Sequence, residues 1–175
     1  MHLGLSESAR VTTAEESRYR IEYPNSRPRT ARIIAFDEQS FELLKALNSD
    51  SRPRTHFLRY VASRPVSDAL QMINLDATLI DVDGNEVGLT DEIGEADVIV
   101  MVTSIEAARL AEAAEIIGIA SFVRSKTTTG LVLNAAGVKG EKLTEALHHM
   151  RPYAAMLVVS TGLEYLDEML AALRA

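Results

Sequence analysis

Along this chain the apolar positions fall into short dense runs separated by longer stretches in which they recur every three or four residues. Asp97–Thr103 (Asp-Val-Ile-Val-Met-Val-Thr) is the clearest run. With no polar alternation it predicts a strand in the middle of a parallel sheet, covered on both faces. Ile33–Phe36, His56–Val61, Thr128–Asn134 and Ala155–Ser160 read as further strands, and Thr78–Ile80 begins another. Asp83-Gly84-Asn85 predicts a tight turn into a partner strand, Glu86–Leu89. Between these runs lie helical patterns. Gln39–Asn48 carries Phe41, Leu44, Lys45 and Leu47 at helical spacing, and Val66–Asn74 carries Val66, Ala69, Leu70 and Ile73 on one face. Ser104 is placed to cap an Ala-rich helix from Ile105 to about Arg124, with Gly118 breaking it near Ile117. Glu141–Met150, stopped by Pro152, and Leu163–Leu173 complete the set.

Strands alternating with helices of crossover length predict an α/β fold, because parallel neighbours must be joined by a crossover and helices supply it. The expectation is a doubly wound, mostly parallel sheet of five or six strands with helices on both faces, a Rossmann-like three-layer arrangement. Residues 19–175 form one such domain in this reading. Met1–Arg18, polar and aperiodic, reads as a mobile tail, and Tyr19–Tyr23 as a short edge strand ended by Pro24.

Composition narrows the function classes. The 175 residues are 47% hydrophobic and include no Cys, which excludes disulfides, a thiolate nucleophile and zinc–thiolate or cysteine-held iron–sulfur sites. No apolar run approaches the roughly 18 residues of a membrane span, and Met1–Arg10 lacks the pattern of a secretory start. A cytoplasmic protein with no membrane partner is expected. The net charge of −7 conceals a division: residues 1–64 hold 11 Lys and Arg against 8 acids, and residues 65–175 hold 7 against 17. The basic part contains an identical five-residue repeat, Ser26-Arg27-Pro28-Arg29-Thr30 and Ser51-Arg52-Pro53-Arg54-Thr55. Each copy leads into a strand, so the two read as equivalent loops.

In a doubly wound sheet ligands bind beyond the carboxyl ends of the strands, where strand order reverses. The polar residues assigned to that edge are Asp37, Glu38, Ser40, Asp81, Thr103, Ser104, Asn134, Ser160 and Thr161, with Asp83 and Glu106 beside them. Arg27, Arg29, Arg52, Arg54 and Lys126 fall at the opposite edge. The ligand expected at such an acidic, hydroxyl-rich edge is a small neutral, cationic or metal-bridged molecule. A phosphate-first site would need a Gly-rich turn, and Asp37-Glu38-Gln39-Ser40 follows the first strand instead.

Other motifs have plainer readings. Ser125-Lys126-Thr127-Thr128-Thr129-Gly130 is a helix exit feeding a strand. Asp81-Val82-Asp83-Gly84-Asn85 lacks the glycine that a calcium loop needs where Glu86 stands, and reads as a hairpin turn. A gathering of Asp37, Glu38, Asp81 and Asp83 around a divalent cation is the weaker alternative. His148 and His149 suit the negative end of their helix. Neither Gly-x-Ser-x-Gly nor His-Glu-x-x-His occurs, and no catalytic residue, resident metal or cofactor is assigned.

From Glu95 to about residue 170, the run Glu95-Ala96-Asp97-Val98-Ile99-Val100-Met101-Val102-Thr103, the helix containing Ala113-Glu115-Ile116-Ile117-Gly118, the strand Leu131-Val132-Leu133, Glu145-Ala146-Leu147-His148-His149-Met150, and Met156-Leu157-Val158-Val159-Ser160 before Leu163-Glu164-Tyr165-Leu166 follow one another in an order that resembles the nucleotide domain of tubulin/FtsZ-type GTPases. That family carries a Gly-rich phosphate loop after the strand matching Asp97–Thr103. Here Ser104-Ile105-Glu106-Ala107 follows, and the family's first glycine-rich loop is missing as well. The resemblance therefore implies a related core without GTP binding, and no GTP-binding residue carries over.

Two functions stay open on these grounds. One is a small-molecule-binding domain, enzymatic or not, using the acidic edge. The other is a non-catalytic module that forms a homo-oligomer or binds a partner, supported by Leu163, Leu166, Leu170 and Leu173 along the closing helix. Nucleic acid is not an expected partner, because the chain is acidic overall and has few aromatics.

Overall fold

Ala31–Ala35 forms β1, five residues with every side chain buried, Arg32 included, because both faces of the strand are covered. This computed structural model describes residues 27–47, 52–63, 76–134, 137 and 139–175. The tail expected over 1–18, the strand expected over 19–23 and the helix expected over 66–74 lie outside them.

The remaining strands are β2 (Thr55–Ser63), β3 (Ala77–Asp81), β4 (Glu86–Gly88), β5 (Val98–Ser104), β6 (Thr127–Leu133) and β7 (Met156–Ser160). The helices are α1 (Glu38–Ala46), α2 (Leu89–Glu95), α3 (Leu110–Val123), α4 (Glu141–Met150) and α5 (Glu164–Leu173), with a 3-10 turn at Arg151–Tyr153. Seven strands make one sheet in the order β4-β3-β2-β1-β5-β6-β7. This corrects the expected five or six. β1 pairs in parallel with β2 and β5, and β5, β6 and β7 continue in parallel. β3 and β4 are antiparallel additions at the far edge.

Alternation along each strand feeds two apolar clusters, one on each side of the sheet. Ile34, Leu58, Ile99, Met101 and Val132 join Ile93 of α2, Ile117 of α3 and Met150 of α4. Ile33, Phe57, Val100, Val102 and Leu131 join Phe41 and Leu44 of α1 and Leu166 and Leu170 of α5. The leucine stripe of α5 is thus partly spent in this core.

Two helix boundaries differ from expectation for identifiable reasons. Ser104 remains in β5 and α3 starts only at Leu110, because Ile105–Arg109 forms a turn at the sheet edge. Gly118 does not break α3. A Cβ there would come within 2.3 Å of the Tyr153 Cβ, so the glycine is a point of close approach between α3 and the 3-10 turn. The short helix α2 has no counterpart in the sequence expectation.

Candidate functional site

The chain passes from β1 to β2 on one side and returns with β5 on the other, so strand order reverses at β1. The crevice above β1 and β5 is where such a sheet would hold a ligand. Asp37 stands in it. Its backbone is extended and caps α1, and its Oδ1 accepts from the Ser40 N–H at 2.8 Å. Oδ2 accepts from the Ser40 hydroxyl at 2.9 Å and from the Ser104 N–H, across the crevice, at 2.9 Å. One donor of the helix N-terminus, the Ser40 N–H, and one of the neighbouring strand end, the Ser104 N–H, are thus taken by a carboxylate of the chain itself.

No protein-family model and no curated protein matches this sequence.

The other residues expected at this edge divide. Ser40 and Thr103 are fully buried, and the Thr103 hydroxyl donates to the Ser104 carbonyl at 2.9 Å. Glu38 points away to Arg59, 3.2 Å between charged atoms. Asn134 is buried at the end of β6, its N–H donating to the Ser160 carbonyl at 2.8 Å, while the exposed Thr161 follows β7. Asp37, Ser40, Thr103 and Ser104 are therefore gathered at the crevice, and Asn134, Ser160 and Thr161 at the end of the β6–β7 pair.

Asp81 belongs to neither group. β3 runs antiparallel, with Ala77 opposite Ser63 and Asp81 opposite Leu58, so its carboxyl end descends toward the start of β2. The expected placement of Asp81 and Asp83 beside Asp37 and Glu38 is corrected: the two pairs lie at opposite edges. Asp81 accepts from the Asp83 N–H (2.9 Å), the Asn85 N–H (2.8 Å) and the Asn85 side chain (3.0 Å), holding the hairpin turn. Burial raises its pKa, but the hydrogen bonds from Asn85, Asp83 and Gly84 outweigh that and hold the carboxyl below its ordinary value. Among the described residues no three His, Asp or Glu side chains are grouped as metal ligands.

An open groove of about 590 Å³ lies beside the crevice, between the Ile105–Arg109 turn and α4. Glu106, Lys142, Glu145 and His149 line it together with Ile105 and Ala146. Lys142 and Glu106 pair across it at 2.7 Å, and each holds the other charged: the carboxyl is shifted down and the ammonium up.

Three features were not visible in the sequence. Tyr60 of β2 donates to Glu112 of α3 at 2.8 Å; burial and then this carboxylate push the phenol up, while the phenol's hydrogen bond pulls Glu112 down. Arg32, a buried cation in β1, is held by Glu92 and, at 3.3 Å, by Glu95, and Glu92 also meets His56 Nδ1 at 3.0 Å. A lone arginine inside an apolar run was the one available signal for this cluster. The third feature is the edge position of β7, a strand the sequence itself indicates: among the described residues it ends the sheet, and Met156 and Val159 are 44% and 43% exposed. Nearby, Phe122 is 83% exposed on the rim of an apolar groove of about 510 Å³ that continues past Tyr153 to Ala155 at the start of β7.

Proposed function

We propose that this domain is a non-catalytic assembly module, built on a degenerate nucleotide-binding fold and self-associating through the β7 edge. The carrying observation is Asp37 seated in the crevice where strand order reverses. A phosphate placed there would meet a carboxylate at close range and would find the Ser40 and Ser104 amides already engaged. Apolar clusters on both sides of the sheet support a doubly wound, Rossmann-like three-layer arrangement. Kinship with the tubulin/FtsZ-type GTPases fits the same picture. The segment after β5, where that family has its phosphate loop, is the glycine-free Ile105–Arg109.

Self-association is favoured by what β7 offers. An edge strand presents unpaired backbone groups, and most protein edges are protected by charges, Pro or short length. Met156-Leu157-Val158-Val159 has no charge and no Pro. Two such edges meeting in antiparallel order would satisfy each other about a two-fold axis. Light scattering over a concentration series tests this. The wild type is expected to dimerise, and Val159→Lys to be monomeric with the same circular dichroism. A wild-type monomer at all concentrations, or a dimer indifferent to Val159→Lys, would refute the β7 assignment.

A second reading rests on the groove between the Ile105–Arg109 turn and α4. Its size suits a small ligand, and Glu106, Lys142, Glu145 and His149 supply both signs of charge. Such a ligand would be polar and zwitterionic, bound at the strand carboxyl edge in a cytoplasmic protein.

A further inference from the structure

With no cysteine in the chain, its sulfur chemistry rests on six methionines. Met101, Met150, Met156 and Met169 lie among the described residues, and the fold treats them differently. Met101 of β5 and Met150 of α4 are fully buried. Met169 of α5 is half-buried against the cluster that contains Leu166 and Leu170. Met156, the first residue of β7, is the most exposed of them, on the edge that ends the sheet. A dissolved oxidant reaches it without any opening of the core.

Met156 also has a polar neighbour that its thioether hardly needs. The Tyr165 hydroxyl, on α5, donates to the Met156 sulfur at 3.6 Å. Tyr165 packs against the same apolar cluster as Met169, which holds the hydroxyl beside the sulfur. A thioether is a weak acceptor, whereas oxidation to the sulfoxide makes the side chain strongly polar. The donor in place therefore suits the oxidised side chain better than the reduced one.

We propose that Met156 is an oxidation site for hydroperoxides, and that its sulfoxide switches off association through the β7 edge; the second half rests on the assembly reading above. The sulfur lone pair attacks one oxygen of hydrogen peroxide, and the S–O bond forms as the O–O bond breaks. The departing oxygen takes the proton of the transferred one and leaves as water, so sulfur is oxidised and the peroxide is reduced. In the free chain the new oxygen accepts from Tyr165, and the fold tolerates it. Between two β7 edges the same oxygen would enter an apolar contact with acceptor capacity unmet, which disfavours the dimer. A thiol-dependent methionine sulfoxide reductase restores the thioether and, with it, the edge.

The test uses the intact chain and hydrogen peroxide, followed by peptide mass mapping and light scattering. Mapping is done in dilute protein, where the edge is uncovered whether or not the chain dimerises. Met156 is expected to gain oxygen about tenfold faster than Met101 and Met150, and ahead of Met169, with the rates converging in urea. The oxidised protein should keep its circular dichroism while its dimer dissociation constant rises about tenfold. Met156→Leu should dimerise as the wild type does and be indifferent to peroxide, and Met156→Gln should dimerise weakly without it. Equal rates at Met156 and the buried methionines in the native protein overturn the site. Selective oxidation that leaves the dissociation constant unchanged, or a Met156→Leu dimer that peroxide still dissociates, overturns the switch. A wild type that is monomeric at every concentration overturns the β7 assembly and its regulation together, while the mass map still decides the oxidation site.

Discussion

Asp97 shows how one carboxylate organises the start of the sheet. It accepts from the Thr30 N–H at 3.0 Å and, at 3.2 Å, from the Thr30 hydroxyl, and Arg27 lies 3.4 Å away. The Thr30 backbone hydrogen bond is the largest cause of its lowered pKa; burial opposes it and loses. A group with a depressed native pKa stabilises the fold above its unfolded value and loses that contribution as pH falls through the native one. Asp97→Ala is therefore expected to cost about 1–3 kcal/mol at neutral pH. The gap between wild type and variant should narrow below about pH 4, the ordinary carboxylate range. Urea unfolding at a series of pH values checks both the size and the direction. Asp97 was legible only as the first residue of a strand, because its partner is 67 positions away.

At the scale of elements, helix propensity and packing make opposite predictions for Gly118. Alanine in a helix interior is favoured over glycine by about 1 kcal/mol. The new Cβ would be 2.3 Å from the Tyr153 Cβ, far inside contact distance. Packing should win: Gly118→Ala is expected to destabilise by about 1–3 kcal/mol, measured as a lowered denaturation midpoint. A midpoint that rises would show that the 3-10 turn moves away freely. The same conflict explains what the sequence could convey. β5, β6, β7 and α4 were legible because their periodicity reflects burial that each element carries in its own residues. The direction of β3 was not, since antiparallel pairing with β2 depends on a connection with no signature in β3 itself. That single reversal moved Asp81 and Asp83 to the wrong edge in the sequence reading. The late start of α3 was hidden similarly: Ser104 is a good capping residue, but its backbone continues β5 opposite Leu133 and a turn follows it. Asp37, Ser40, Thr103 and Ser104 lie together at the crevice because they follow adjacent parallel strands, while their mutual hydrogen bonding depends on geometry that spacing does not encode.

For the whole molecule, placing charges on the fold revises the simple polarity of acids at one edge and arginines at the other. Several basic groups at the lower edge are already partnered: Arg27 with Asp97, Arg52 with Asp167, and Lys126 with the Gly94 carbonyl. A free basic surface for polyanions is correspondingly reduced. Among the described residues no helix is long and apolar enough to cross a membrane. The surface that stands out instead is the uncharged β7 edge with the exposed Phe122 beside its start. The proposed assembly module rests on two features: Asp37 seated in the crevice between the Ser40 and Ser104 amides, and the uncharged β7 edge. The closed crevice is the central claim, and calorimetric titration with GTP and magnesium tests it most directly. No binding heat up to millimolar nucleotide is predicted for the wild type. Saturable binding at micromolar nucleotide, weakened by substitutions at Ser40 or Ser104, would contradict it.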